Sequence, residues 1–243
     1  MMNFGFDKYS FQARLRPALL SLFPVYATAV AWGPAVYGKV VIGLLGAAAT
    51  CGLAVVFAHF VRTRGLAVQT RLVEKWGGMP TTLWLRHADL NLETETKSRY
   101  HQFLQRNVPD WTPPTTSEEM TDPAEADKQY RSAVDWLRAY TRDTNKFPLV
   151  LAENISYGFR RNVLGLKPVA IILATASTIF PIVQLYDVPI DIVVSDRFVE
   201  LAVACVLFLT LLWWIIFVTD SWVRQAGDAY ARALLSACDA PRK

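Results

Sequence analysis

Four long apolar stretches constrain the fold of this chain more than any other feature. They cover residues 18–36, 40–61, 169–185 and 198–218. Each is close to the roughly 20 residues that a helix needs to cross the hydrocarbon core of a bilayer. Inside lipid, a helix satisfies its own backbone hydrogen bonds, which an open strand does not. The sequence therefore predicts an all-α integral membrane protein with four transmembrane helices.

The order of these stretches predicts two transmembrane hairpins around a soluble helical domain. We expect an N-terminal segment with the first hairpin at 1–61, a helical domain at 62–167, a second hairpin at 168–218 and a tail at 219–243. A cleaved signal peptide, with Ala27-Thr28-Ala29 as its cleavage site, is the alternative for the first stretch. The second stretch follows almost at once, and this favours a hairpin.

The distribution of basic residues predicts the orientation. Of 25 lysines and arginines, only Lys39 and Arg197 fall in the two hairpin turns. By the positive-inside rule, the N-terminus, the soluble domain and the C-terminus are cytoplasmic. We expect the protein in the inner membrane of a bacterium. The net charge of +4 is too small to indicate binding to duplex nucleic acid.

Helix signals organise the soluble part. A helix is expected to run unbroken from 40 to 76, followed by helices at 94–106 and 123–142, with Asp122 as the N-cap of the last. Residues 107–122 read as a loop. A further helix is expected to open at Pro148 and to end at Gly165, and the tail to form an amphipathic helix that continues from the fourth span.

The junction between the soluble domain and the second hairpin is the first candidate site. Glu153, Tyr157 and Arg161 are spaced four apart and share one helical face, with Arg160 beside them. With Arg142 they offer phosphate contacts and a stacking ring, which suits a nucleotide or oligonucleotide. The alternative is a membrane anchor with an internal salt bridge.

Polar residues in the second hairpin are candidates for lining a pore. They are Thr175 and Thr178 on one face of the third span and Glu200 near the outer end of the fourth. Hydroxyls line a wet pathway or bond back to the preceding helical turn. Four spans offer few polar groups, so a pore would need several copies, and we expect a homo-oligomer in contact with membrane lipid.

No enzyme constellation is recognisable in the sequence. Its three cysteines are scattered, and it has no zinc-protease, nucleophile-elbow or dinucleotide-loop motif. His87 and His101 could meet on adjacent helices as a metal or acid–base site, although surface positions are the simpler interpretation. We predict no enzyme activity, no metal and no cofactor.

Several short motifs lie along the soluble part and its flanks. They are Gly77-Gly78-x-Pro80-Thr81-Thr82, Arg86-His87-x-Asp89, Thr96-Lys97-x-Arg99-Tyr100-His101, Thr141-Arg142-Asp143 and Glu153-Asn154-x-x-Tyr157-Gly158-Phe159-Arg160-Arg161-Asn162. Together they resemble a family of uncharacterised four-span membrane proteins of bacteria. The architecture is also similar to that of membrane effectors of antiphage systems, such as the channel subunit of the Hailong system. That likeness implies an oligomeric channel controlled by a nucleotide-derived ligand from a partner enzyme.

The leading hypothesis is a membrane ion channel or membrane-disrupting effector that a cytosolic ligand gates, with a role in antiphage defence. The alternative is a non-conducting scaffold that recruits a cytosolic partner through residues 77–150. A lipid- or nucleotide-acting enzyme, with His87 in its site, is a third hypothesis.

Overall fold

A computed structural model describes residues 8–32, 39–186, 188–189, 192–193 and 197–240, without the side chains of 39–45, 47–51 and 53–55. Within this part of the chain every regular element is helical, which confirms the all-α prediction. The chain divides into two compact units, one of Met1–Gln69 with Gly158–Trp222 and one of Thr70–Tyr157 with Val223–Lys243.

The first unit contains the apolar helices. Helix α1 (Lys8–Trp32) includes a π-helical segment at Phe11–Leu15, and it packs against α8 (Phe198–Ile216). By length and composition α1, α7 (Pro148–Leu185) and α8 are long and apolar enough to cross a membrane. The expected span 40–61 falls in α2 (Lys39–Trp76), mostly where side chains are outside the description. Of the expected turn before it, Gly38-Lys39, the first residue lies outside the described residues and the second begins α2.

Two helices are longer than an ordinary globular helix. Helix α2 is unbroken over 38 residues, as predicted, and extends about 57 Å at 1.5 Å per residue. Helix α7 also has 38 residues and passes through Pro168 and Pro181. The prediction that this helix ends at Gly165 is wrong.

A close helix contact explains the glycine at 165. A Cβ atom there would lie 2.8 Å from the carbonyl carbon of Arg64 and 2.9 Å from the amide nitrogen of Gly65, both in α2. The backbones of α2 and α7 approach this closely because both helices have glycine at the crossing. Gly165 therefore serves packing in mid-helix and does not end the helix.

The second unit is built from shorter helices. They are α3 (Pro80–Leu83), α4 (Thr94–Asn107), α5 (Thr116–Thr121), α6 (Pro123–Tyr140) and α9 (Asp220–Leu235), which the 3₁₀ turn Ser236–Asp239 follows; the first three residues of α9 belong to the other unit. Asp122 caps α6 as predicted, accepting from the Glu125 amide at 3.0 Å. The core of this second unit contains Leu72, Leu104, Tyr130, Leu137 and Leu234.

Two expectations about these elements need correction. Residues 107–122 are not all loop, because a capping box between Thr115 and Glu118 starts the short helix α5. The tail does form a helix, but it does not continue from the fourth span. Helix α8 ends at Ile216, and α9 begins separately at Asp220.

Candidate functional site

Basic side chains of α7 hold the carboxyl end of α8. The last carbonyl groups of a helix have no partner within it, and cations there also offset the helix dipole. Lys167 Nζ donates to the carbonyl oxygens of Ile215 (3.0 Å) and Val218 (2.8 Å). Arg160 Nη1 donates to the carbonyl oxygen of Trp222 at 3.0 Å. Two cations of one helix thus fix the break after the other.

The ring of Trp222 is the centre of an aromatic cluster at this break. The Arg160 guanidinium lies 5.1 Å from its ring centroid, within range of a cation–π contact. Phe159 and Trp213 meet the same ring edge-on, with centroids 6.4 and 6.1 Å away. Arg160, which the sequence suggested as a phosphate contact, is half-buried in this cluster.

Arg161 and Asn162 join three helical segments of the first unit. Asn162 is fully buried, and its Nδ2 donates to the carbonyl oxygen of Ala13 in the π-helical segment at 2.6 Å. Arg161 donates from Nη1 to Gln69 Oε1 and from Nε to Asn162 Oδ1. Arg161 is only 9% exposed. It belongs to a buried polar junction, as Asn162 does.

The other three predicted ligand residues lie in the second unit. Tyr157 is buried; its ring stacks on that of Tyr230 with centroids 6.4 Å apart, and its hydroxyl points at Met79 Sδ (3.9 Å). Glu153 is half-buried one turn earlier in α7. Arg142 is exposed in the turn after α6. Within this unit, Arg142 is the residue of the predicted set that solvent reaches most freely.

The pore candidates have internal contacts as well. Thr178 is buried and its hydroxyl donates to the carbonyl oxygen of Ala174 at 2.7 Å, one turn back in α7. Thr175 is half-buried. Glu200 is half-buried at the start of α8, and its Oε1 lies 3.5 Å from Arg197 Nε. Of the two alternatives for the hydroxyls, Thr178 shows back-bonding to its own helix.

Sequence reasoning missed a carboxylate at the centre of a polar network in the second unit. Glu119 is 6% exposed and accepts hydrogen bonds from the amides of His87 (2.8 Å) and Ala88 (3.1 Å) and from the hydroxyl of Tyr130 (2.9 Å). Burial raises the pKa of this carboxyl, but the hydrogen bonds outweigh burial and hold the pKa below its usual value. Glu119 escaped notice because it lies in the stretch that read as a loop.

The two histidines do meet, as the sequence suggested they could. Their rings contact edge-on with centroids 5.2 Å apart. His87 Nε2 donates to the carbonyl oxygen of Pro114 and His101 Nε2 to that of Leu85, both at 2.8 Å. Burial lowers the pKa of His101 to about 4. The part of the chain that the structure describes has no group of three or more side chains able to hold a metal ion.

Lys97 completes this network. Its buried ammonium donates to the carbonyl oxygens of Arg86, His87 and Asp89, and burial lowers its pKa. Arg86 forms a two-pronged pair with Asp127, whose hydrogen bond raises the pKa of the guanidinium. The sequence motifs at 86–89 and 96–101 therefore come together here. Their shared contacts brace the turn after α3 against α4, which is a structural role.

Comparisons with other proteins add no functional information. No protein-family model, curated protein or solved structure matches this chain.

Proposed function

We propose that this protein is a homo-oligomeric ion channel or membrane-disrupting effector of the bacterial inner membrane, gated by a ligand of its cytoplasmic helical segment, 62–167. The supporting observation is the apolar surface of α7 and α8. Ile172 and Val183 in α7 are 67% and 65% exposed, and Phe198 and Val199 in α8 are 64% and 66% exposed. Large apolar side chains so exposed favour lipid over water.

The helix framework supports a gating role. Helices α2 and α7 run without a break past the residues where the two units divide, at 69–70 and at 157–158. Through Lys167, α7 also holds the carboxyl end of α8, and through Arg160 it holds the first turn of α9. We infer that a displacement of α7 carries that end of α8 with it. Such a displacement needs a ligand that binds one position of α7 better than the other.

The conducting path would form between copies of the chain. One copy offers few polar groups to water in its apolar helices, and Thr178 already bonds to Ala174. Thr175 and Glu200 are half-buried within one copy. We propose that copies assemble so that Thr175 and Glu200 border the shared path, and that Thr178, which is buried within one copy, joins it when α7 moves.

The proposed ligand is a nucleotide or oligonucleotide made by a partner enzyme, and this part rests on the resemblance to antiphage effectors. Arg142 is exposed, so a phosphate group can bind it without displacing other side chains. Arg160, Arg161 and Tyr157 each have internal contacts. A ligand that engages them must replace those contacts, and this would release α7.

Ion flux from proteoliposomes tests the proposal. We expect a discrete oligomer whose flux changes when a nucleotide extract of the host cell is added. R160E/R161E should abolish the response, and R142E, at an exposed position, should weaken it. K128E/R131E reverses two exposed charges of α6 and should respond as the wild type does. Tight vesicles with the wild-type protein would contradict the proposal.

A partly exposed aromatic ladder favours a second candidate, the non-conducting scaffold; Tyr140 in it is exposed, and Phe103, Trp136 and Phe147 are half-buried. Trp136 and Tyr140 stack with centroids 5.2 Å apart, and Tyr140 also meets Phe103 (5.9 Å) and Phe147 (5.5 Å). Tyr140 is 40% exposed. Tryptophan and tyrosine are common at the centres of protein interfaces.

The scaffold hypothesis predicts one stoichiometric partner for residues 77–150. W136A/Y140A should abolish its capture, while F198A, in an apolar helix, should leave capture intact. Vesicles that stay ion-tight with the partner present would favour the scaffold over the channel. Capture that survives W136A/Y140A would remove the ladder as its docking surface.

A further inference from the structure

The cations of the first unit have few carboxylates to pair with. Residues 8–69 and 158–186 contain nine lysines and arginines and not one aspartate or glutamate. The middle segment differs, because residues 65–167 hold 14 basic and 13 acidic residues. The positive side chains in this part of the chain must therefore bind uncharged oxygen atoms of the protein or be exposed at its surface.

The helix junction places several of these cations at one level of the first unit. Asn162 of α7 bonds to Ala13 of α1, and Gly165 of α7 packs on the backbone of Arg64 and Gly65 in α2. Arg16 follows Ala13 by less than one turn. In α1, Arg16 lies between Ala13 and the apolar stretch 18–36. In α2, Arg62 and Arg64 lie between the apolar stretch 40–61 and Gly65.

Six of these nine cations divide into an internal and an external group. Arg160, Arg161 and Lys167 bond to backbone or side-chain oxygens inside the unit. The external group has exposed side chains, and within the described residues none of its members pairs with a carboxylate: Arg16, Arg62 and Arg64.

Exposed aromatic rings accompany two of the external arginines. The Arg16 guanidinium lies 5.8 Å from the ring centroid of Phe11, and that of Arg64 lies 6.0 Å from the ring centroid of Phe60. Phe11 is 44% exposed and Phe60 41%. A contact with a ring face leaves the edge N–H groups of the guanidinium available to an anion. An aromatic ring beside a cation suits the headgroup level of a bilayer.

We infer that Arg16, Arg62 and Arg64 form a binding surface for the headgroups of anionic phospholipids. One guanidinium group can donate two parallel hydrogen bonds to the oxygens of a phosphate. Basic side chains beside a membrane span also attract anionic lipids. This inference rests on the proposed membrane insertion. It adds that the protein selects the charge of its surrounding lipid.

The neighbouring surface favours a lipid over a soluble phosphate. Phe11 and Phe60 are exposed beside the arginines, and Leu19 and Val56 are exposed about one turn away along α1 and α2. A ligand that fits this surface has a negative head and apolar chains. Glycerol phosphate has the same charge without the chains, so it distinguishes the two sources of phosphate.

Lipid binding to the full-length protein in detergent, followed by native mass spectrometry, tests this inference. The probes are phosphatidylglycerol, phosphatidylcholine and glycerol phosphate. We expect the wild type to prefer phosphatidylglycerol. Each arginine near an anionic headgroup contributes about fivefold in affinity, so R16Q/R62Q/R64Q should lose on the order of 100-fold for phosphatidylglycerol. Its affinity for phosphatidylcholine should not change.

Two further variants control for charge and for fold. R106Q/K128Q/R131Q removes three exposed cations of the other unit and should keep the preference. R16K/R62K/R64K keeps the positive charges and should keep most of the preference for phosphatidylglycerol. The inference is overturned if the wild type shows no preference, if the glutamine variant keeps it, if the control variant loses it equally, or if glycerol phosphate binds as tightly as the lipid. A wild type that fails to insert into vesicles would instead overturn the proposed function.

Discussion

The basic residues at the start of the third apolar stretch act largely as internal hydrogen-bond donors. Lys167 caps carbonyl groups at the end of α8, Arg160 binds a carbonyl group in the first turn of α9, and Arg161 binds Gln69. Positive charge just inside a membrane is common, but these three side chains also fix one helix against another. Substituting them is therefore expected to change the fold locally as well as the charge.

Lys167→Met is expected to destabilise the first unit. It leaves the carbonyl oxygens of Ile215 and Val218 without their donor, and a half-buried charged hydrogen bond contributes about 1 kcal/mol. For a chain of this size that lowers Tm by about 2–4 °C in a thermal melt. Lys128→Met removes an exposed lysine and should change Tm by less. Equal effects of the two substitutions would contradict the capping role.

The pH dependence of stability reports on His101. Its pKa of about 4 in the folded protein lies below the unfolded value of about 6.5, so acid protonates the unfolded state first. The contribution of His101 to the free energy of unfolding is complete above about pH 6.5. It falls by about 1.4 kcal/mol per pH unit as the pH is lowered toward 4. Thermal melts from pH 7 to 4 should show this slope for the wild type and a reduced slope for His101→Gln.

His59→Gln is the matched control for the pH experiment, because His59 is exposed. It removes a histidine and leaves the His101 ring and its contact with the carbonyl oxygen of Leu85 in place. If His101→Gln keeps the full wild-type slope, another group carries the pH dependence of the second unit.

At the scale of elements, the crossing of α2 and α7 depends on glycine. Gly165→Ala places a methyl group 2.8 Å from backbone atoms of α2, which cannot rotate away as a side chain can. We expect a loss of about 1–3 kcal/mol in the free energy of unfolding. Gly52→Ala, in the same α2, meets no atom within 4 Å and should be neutral or stabilising. Urea titration of both variants measures the difference.

Local signals predicted most of the helices, since caps and prolines act within a few residues. Asp122 and Pro123 start α6 as expected, and Pro148 starts α7. Gly165 misled because its role depends on Arg64 and Gly65, a hundred residues earlier in the chain. A glycine that ends a helix and one that lets two helices touch look alike in a single sequence.

The candidate site was harder to predict than the helices. Spacing placed Glu153, Tyr157 and Arg161 on one helical face, but it could not show what each side chain contacts. The partners of Arg160 and Arg161 are Trp222 and Gln69, both distant in sequence. The network around Glu119 depends on tertiary contacts over about 30 residues, such as the bond from the His87 amide.

For the molecule as a whole, we expect a definite topology in the membrane. With 23 of 25 basic residues outside the hairpin turns, both termini should lie on the cytoplasmic side. A reporter that is active only in the cytoplasm should work when fused after Lys243 and fail when inserted at 187–196. The opposite pattern would place the helical segment 62–167 outside the cytoplasm and rule out a cytosolic ligand.

The most direct test of the central claim measures particle mass and ion flux on one reconstituted sample of the full-length protein. We expect a discrete oligomer that conducts ions, with conductance that changes when a nucleotide extract of the host cell is added. A monomer or dimer in vesicles that stay ion-tight under all conditions would contradict the channel and leave the scaffold as the better description.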